Sequence, residues 1–144
     1  MSSIASTNLP KWFWFAAGGA LIWNILGVVS YLTYVTATPE AIASLPEAQQ
    51  QIREATPAFV TAAYAIAVFG AALGSIFLLL RRSWAVSMFT ASFVAVLAQF
   101  GYMFLALNVL STGVASAVLP AMVIIIGLLL LRFSMSARRK GWLQ

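Results

Sequence analysis

Long apolar runs separated by short polar ones organise this chain. They extend from Trp12 to Val35, Ala58 to Leu80, Trp84 to Leu107 and about Ala115 to Phe133, with no charge before the last turn of any. A membrane-crossing helix needs about 20 mainly apolar residues. Lipid offers the backbone no water partner, so runs of this length must be helical. The pattern predicts an all-α four-transmembrane-helix bundle, built as a single integral membrane domain over residues 1–144. Trp12 to Phe15 read as an interfacial aromatic belt at the start of the first helix, and Tyr31 and Tyr34 as the belt at its other end. The first run is too long for a removable signal peptide, and no small-residue cleavage site follows it cleanly.

The connections differ in kind. Arg81-Arg82-Ser83 has room only for a tight turn, and Asn108 to Val114 is a short uncharged turn. The stretch 36–56 is longer and carries helix signals of its own. Thr38-Pro39 and Thr56-Pro57 each match an N-cap followed by proline at the first helical position. Ser44 to Glu47 has capping-box spacing. Leu45, Ala48, Ile52 and Ala55 share one helical face, and Glu47, Gln50, Gln51 and Glu54 the other. This predicts a short amphipathic helix, lying on the membrane surface or capping the bundle.

Composition supports the membrane assignment. Apolar residues make up 62% of the chain and charged residues 8%, against about 45–50% and 25% in soluble domains. Cysteine, histidine and aspartate are all absent. That removes thiolate chemistry, the commonest general base and the commonest metal ligand. No catalytic or metal-binding constellation is visible, and no cofactor is expected. The spanning runs hold no buried carboxylate of the kind proton-coupled antiporters use, no arginine series for a voltage sensor and no nucleophile–base pair.

The net charge of +5 does not imply nucleic-acid binding, because the basic residues form no patch with interleaved aromatics. Their distribution instead sets topology. Lys11, Arg81, Arg82, Arg132, Arg138, Arg139 and Lys140, seven of the eight basic residues, fall on one side of a chain that crosses four times. Arg53 and the three glutamates fall on the other. The positive-inside rule then places both termini in the cytoplasm, N-in and C-in, in a bacterial cytoplasmic membrane. Glu40, Glu47 and Glu54, spaced by seven, read as a solvated helix face. The basic tail 134–144, with Arg138, Arg139, Lys140 and Trp142, reads as a lipid-headgroup anchor, each charge contributing about 1 kcal/mol.

Polar residues deep in spanning helices are the functional candidates. Asn24, Tyr64, Gln99 and Tyr102 lie on small or polar stripes at helical spacing. The stripes are Ala17-Ala20-Asn24-Gly27-Tyr31, Tyr64-Ala67-Ala71-Gly74 and Ser92-Ala95-Gln99-Tyr102. These stripes are expected to face one another inside the bundle. Their polar groups then either line a small cavity for an uncharged solute or form interhelical hydrogen bonds worth about 0.6–2 kcal/mol each. Gly70-x-x-x-Gly74, with Gly27 on the first helix, marks a close-packing face, either internal or for a partner. Pro120 sits near the start of the last helix, either as a hinge or in a first turn that has no donor to lose.

Several stretches carry a family resemblance: WNILGVVSYL (23–32), SLPEAQQ (44–50), TPAFVTAAYAIAVFGAALG (56–74), LLLRRSWAVSMF (78–89) and RRKGWL (138–143). In these the chain resembles a group of small bacterial four-helix membrane proteins described as sugar transporters. The resemblance implies the same four-helix fold and transport of a neutral solute such as a sugar, and it assigns no site residues. The residues alone point instead to a non-catalytic accessory or scaffolding subunit of a membrane complex. The expected partners are membrane lipids and either further copies of the chain or a larger complex.

Overall fold

The computed structural model describes residues 9–107, 109 and 113–144. It is all-helical: α1 (Lys11–Val35), α2 (Pro39–Ala43), α3 (Glu47–Ala55), α4 (Ala58–Leu79), α5 (Trp84–Leu105), a 3₁₀ turn (Val114–Ala117) and α6 (Val118–Arg139). Four helices, α1, α4, α5 and α6 with its 3₁₀ turn, are long and apolar enough to cross a membrane. Most of the expected turn at Asn108–Val114 lies outside the described residues.

Hydrophobic burial does not hold such helices together, because lipid is as apolar as leucine; close packing of small residues does. α4 and α5 pack most closely, and the glycines show why. A Cβ on Gly74 would sit 3.0 Å from the Phe89 ring, and one on Gly70 3.3 Å from Ser92 Cβ. Both glycines therefore face α5 inside the chain. Gly27 faces Val68 across the α1–α4 contact, and Gly127 of α6 receives the Phe93 ring of α5. The spanning helices thus neighbour one another in chain order. α1 is not among the close backbone neighbours of α6. The two meet at the terminal end, where Phe133 lies 5.6 Å from Trp12 and 5.7 Å from Phe13, ring to ring.

A dense apolar plug closes that end. Phe13, Leu78, Phe89, Ala137 and Leu143 are buried together, with Trp142 and Phe133 packed against them. The plug carries α6 to Arg139, past the Phe133 boundary expected from hydropathy, because Ser134 and Ala137 are buried in the packing. The chain after α6 then folds back. α6 and α4 both end in a left-handed residue followed by a 6→1 hydrogen bond. In α6 this is Gly141 (φ 77°) with Trp142 N–H on Ala137 O (2.9 Å); in α4 it is Arg81 (φ 58°) with Arg82 N–H on Phe77 O (2.8 Å). The two ends are laced together. Gln144 N–H donates to Arg81 O (2.7 Å), Ser83 N–H to Gln144 O (2.6 Å) and Arg81 Nε to Trp142 O (2.9 Å).

The segment between α1 and α4 holds two short helices where the pattern predicts one. Thr38 caps α2 as expected, its Oγ1 accepting from Ala41 N–H at 3.2 Å. Two other expected caps do not form. Ser44 closes α2 by donating to Ala41 O (2.6 Å), so the Ser44–Glu47 capping box is absent and Pro46 is the N-cap of α3. Thr56 closes α3 by donating to Ile52 O (2.7 Å), and Pro57 is the N-cap of α4. The cause is shared: each proline disfavours a helical residue before it, so the preceding helix must end there and its free carbonyls take the hydroxyl. Pro120 lies in the first turn of α6, where no backbone donor is lost, so it is not a mid-helix hinge.

Candidate functional site

The bundle contains a cavity of about 720 Å³. This is within the usual ligand-pocket range of about 300–1,000 Å³. Phe89 and Leu130 lie at its floor, and Ile42, Leu45, Ile52 and Arg53 of the α2–α3 segment roof it. α1, α4 and α5 supply one wall. α6 supplies the other through Leu119, Pro120, Val123, Ile126, Gly127 and Leu130, without a polar side chain.

The polar groups lie on the first wall at distinct depths. Asn24 is about 17 Å below the α2–α3 end of α1, at 1.5 Å per residue. It is 7% exposed. Its Nδ2 donates to Ser75 Oγ (2.8 Å) and Ala71 O (3.2 Å), tying α1 to α4. Its Oδ1 accepts no hydrogen bond among the described residues. Tyr64 and Gln99 share a shallower level, each about 9 Å from the same end of its helix. Tyr64 Oη exchanges a hydrogen bond with Ser30 Oγ (2.9 Å), and its ring packs edge-on to Tyr31 at 5.2 Å. Ser92 Oγ of α5 donates to Ala67 O of α4 (2.5 Å).

Gln99 is different. It is 7% exposed and lines the cavity, yet its amide makes no hydrogen bond among the described residues. A buried amide left without a partner costs about 1–3 kcal/mol, so a group of this kind needs an explanation. The cavity beside it leaves room for a hydrogen-bonding partner.

Tyr102, expected in the same cavity, does not line it. Three residues beyond Gln99 the helix is about 60° short of a full turn, and the Tyr102 ring packs edge-on to Phe59 at 5.1 Å. Arg53, which sequence reasoning treated only as a charge, does line the cavity. It donates from Nη2 to Tyr34 O and lies over the Tyr34 ring at 4.0 Å. The available signal was its isolation: it is the one cation among the glutamates, beside Ile52 on the apolar edge of α3. Arg138, Arg139 and Lys140 are exposed at the opposite end, with Lys140 Nζ 4.8 Å from the Trp142 ring.

Comparison of the chain with protein-family models, with curated proteins and with solved structures gave no match.

Proposed function

We propose that this chain is a non-catalytic binding and permeation protein of a bacterial cytoplasmic membrane, with both termini cytoplasmic. Its cavity accommodates a small molecule with a mainly apolar body and hydrogen-bond acceptors. The observation that carries this is Gln99, a buried amide with no hydrogen-bond partner among the described residues, on the wall of a cavity large enough for a ligand. The family resemblance favours transport in general. The lining argues against a sugar as cargo, because hydroxyls turned toward the apolar α6 wall lose their water without replacement. The sealed terminal end fits a molecule that enters from the bilayer or the opposite face.

Intact-complex mass spectrometry after purification in mild detergent tests the reading. One small amphiphile per chain is expected, and Gln99→Leu should lose it. A ligand-free chain that stays ligand-free when offered membrane extract would overturn it.

One observation favours a second reading, an accessory or scaffolding subunit in an oligomer or larger complex. None of the most apolar stretch of α6 is buried within the chain, so this helix is free to dock on a partner. Recovery in fixed ratio with a larger complex would support that reading.

A further inference from the structure

We propose that the cavity takes one glycerophospholipid, resting on the ligand-binding reading above. Its phosphate sits on Arg53, its ester carbonyls lie at the level of Gln99 and Tyr64, and one acyl chain runs down the α6 wall.

Among the described residues, Arg53 is the only charged one lining the cavity. It is held in place, with one N–H on Tyr34 O and its guanidinium over the Tyr34 ring. A guanidinium has five N–H donors in a planar fork, so most of the fork is left for an anion. Among the described residues no carboxylate pairs with it. Glu40, Glu47 and Glu54 are exposed and do not line the cavity. Charge complementarity at the rim therefore calls for an anion, and a phosphate suits a planar fork.

The second polar level lies one turn deeper. Ser30, paired with Tyr64, is about 6 Å along α1 from Tyr34, and Gln99 shares its depth. A phosphate and an ester carbonyl are separated across a glycerol backbone by a similar distance. Both Nε2 hydrogens of Gln99 are available to carbonyl acceptors. Beneath this level the α6 side offers only apolar surface, about 10 Å long from Val123 to Leu130, a shape for a hydrocarbon chain. On the side between α1 and α6, which are not among the closely packed helix pairs, we place the entry from the bilayer. The second acyl chain can remain there, among the surrounding lipids.

The two levels discriminate between ligands. A free fatty acid at Arg53 leaves Gln99 unpaired, because its only polar group is at the rim. A neutral diacylglycerol satisfies Gln99 and leaves Arg53 without an anion.

The test uses the full chain in mild detergent, titrated with phosphatidylglycerol or with diacylglycerol of the same acyl chains, read by native mass spectrometry. The expected result is one equivalent of phosphatidylglycerol bound about tenfold more tightly than diacylglycerol, the scale of one charge-assisted pair. Arg53→Gln should erase the preference while diacylglycerol still binds, and Gln99→Leu should weaken both lipids. If Arg53→Gln also loses diacylglycerol, Arg53→Lys decides: the charge is kept, so the preference should survive. Equal binding of the two lipids by the unaltered chain would overturn the phosphate assignment and leave the cavity reading standing. So would a preference that survives Arg53→Gln but vanishes when Arg138, Arg139 and Lys140 are neutralised. Binding of neither lipid would overturn the phospholipid assignment, and failure to take up anything from membrane extract as well would overturn both.

Discussion

Replacing Asn24 and Gln99 by leucine, one at a time, should move stability in opposite directions. Both amides are 7% exposed and both belong to spanning helices, so composition and burial predict the same effect. Their hydrogen bonds predict otherwise. Asn24→Leu removes two donated bonds, to Ser75 Oγ at 2.8 Å and Ala71 O at 3.2 Å. Ser75 keeps its own bond to Ala71 O at 3.0 Å, so no buried group is orphaned, and the loss is that of the interhelical bonds alone. In membrane proteins such bonds average about 0.6 kcal/mol each with a maximum near 1.7, so Asn24→Leu should destabilise by about 1–1.5 kcal/mol. Gln99→Leu removes no hydrogen bond among the described residues. It replaces an unpaired amide with a side chain of similar size that is content in the cavity wall, and relieves part of a desolvation penalty of about 1–3 kcal/mol. Helices stay inserted when a membrane protein unfolds, which shrinks the relief, and a gain of about 0.5–1 kcal/mol is expected. The assay is reversible unfolding of lipid-stripped protein in mixed micelles of mild detergent and dodecyl sulfate, followed by circular dichroism. Adding ligand should stabilise the original chain more than it stabilises Gln99→Leu. If Gln99→Leu destabilises the stripped protein as much as Asn24→Leu does, Gln99 is an ordinary structural residue and the reasoning fails.

Other consequences can be checked separately. Gly74→Ala brings a Cβ to 3.0 Å from the buried Phe89 ring, which should destabilise by about 1–3 kcal/mol; adding Phe89→Leu should recover part of this in the same assay. Gly141→Val forces a branched side chain onto φ 77° and should loosen the folded-back tail by about 1 kcal/mol or more. In a Leu143→Cys background, where the reporter replaces a buried leucine, that loosening should appear as faster thiol labelling. Because the chain contains no cysteine, Gln50→Cys and Arg82→Cys can report topology in intact cells. An impermeant reagent should label position 50 and spare position 82, and the reverse pattern would invert the proposed orientation.

The number of spanning helices, their approximate limits and the helical nature of the α2–α3 segment follow from the sequence by itself. Twenty or so apolar residues in lipid have one way to satisfy their backbone, and Thr38 caps the helix that Pro39 begins. The small-residue stripes were also legible: Ala17, Ala20 and Asn24, or Ala95 and Gln99, recur at helical period and are buried together. What the stripes meet was decided only by the tertiary structure. These helices are apolar on every side, and lipid accepts any face about as readily as a neighbouring helix does, so rotation about each axis is weakly written in hydropathy. Packing chose it. The Phe89 ring filling the groove at Gly74 turned that motif toward α5, and the same rotation left Gln99 on the cavity wall and Tyr102 against Phe59. The plug at the terminal end joined α1 to α6 through Phe133, Trp12 and Phe13, and the cavity lies beyond it, with α6 as one wall. It also set which amide found a partner: Asn24 reached Ser75 on α4, whereas Gln99 came to lie beside open space.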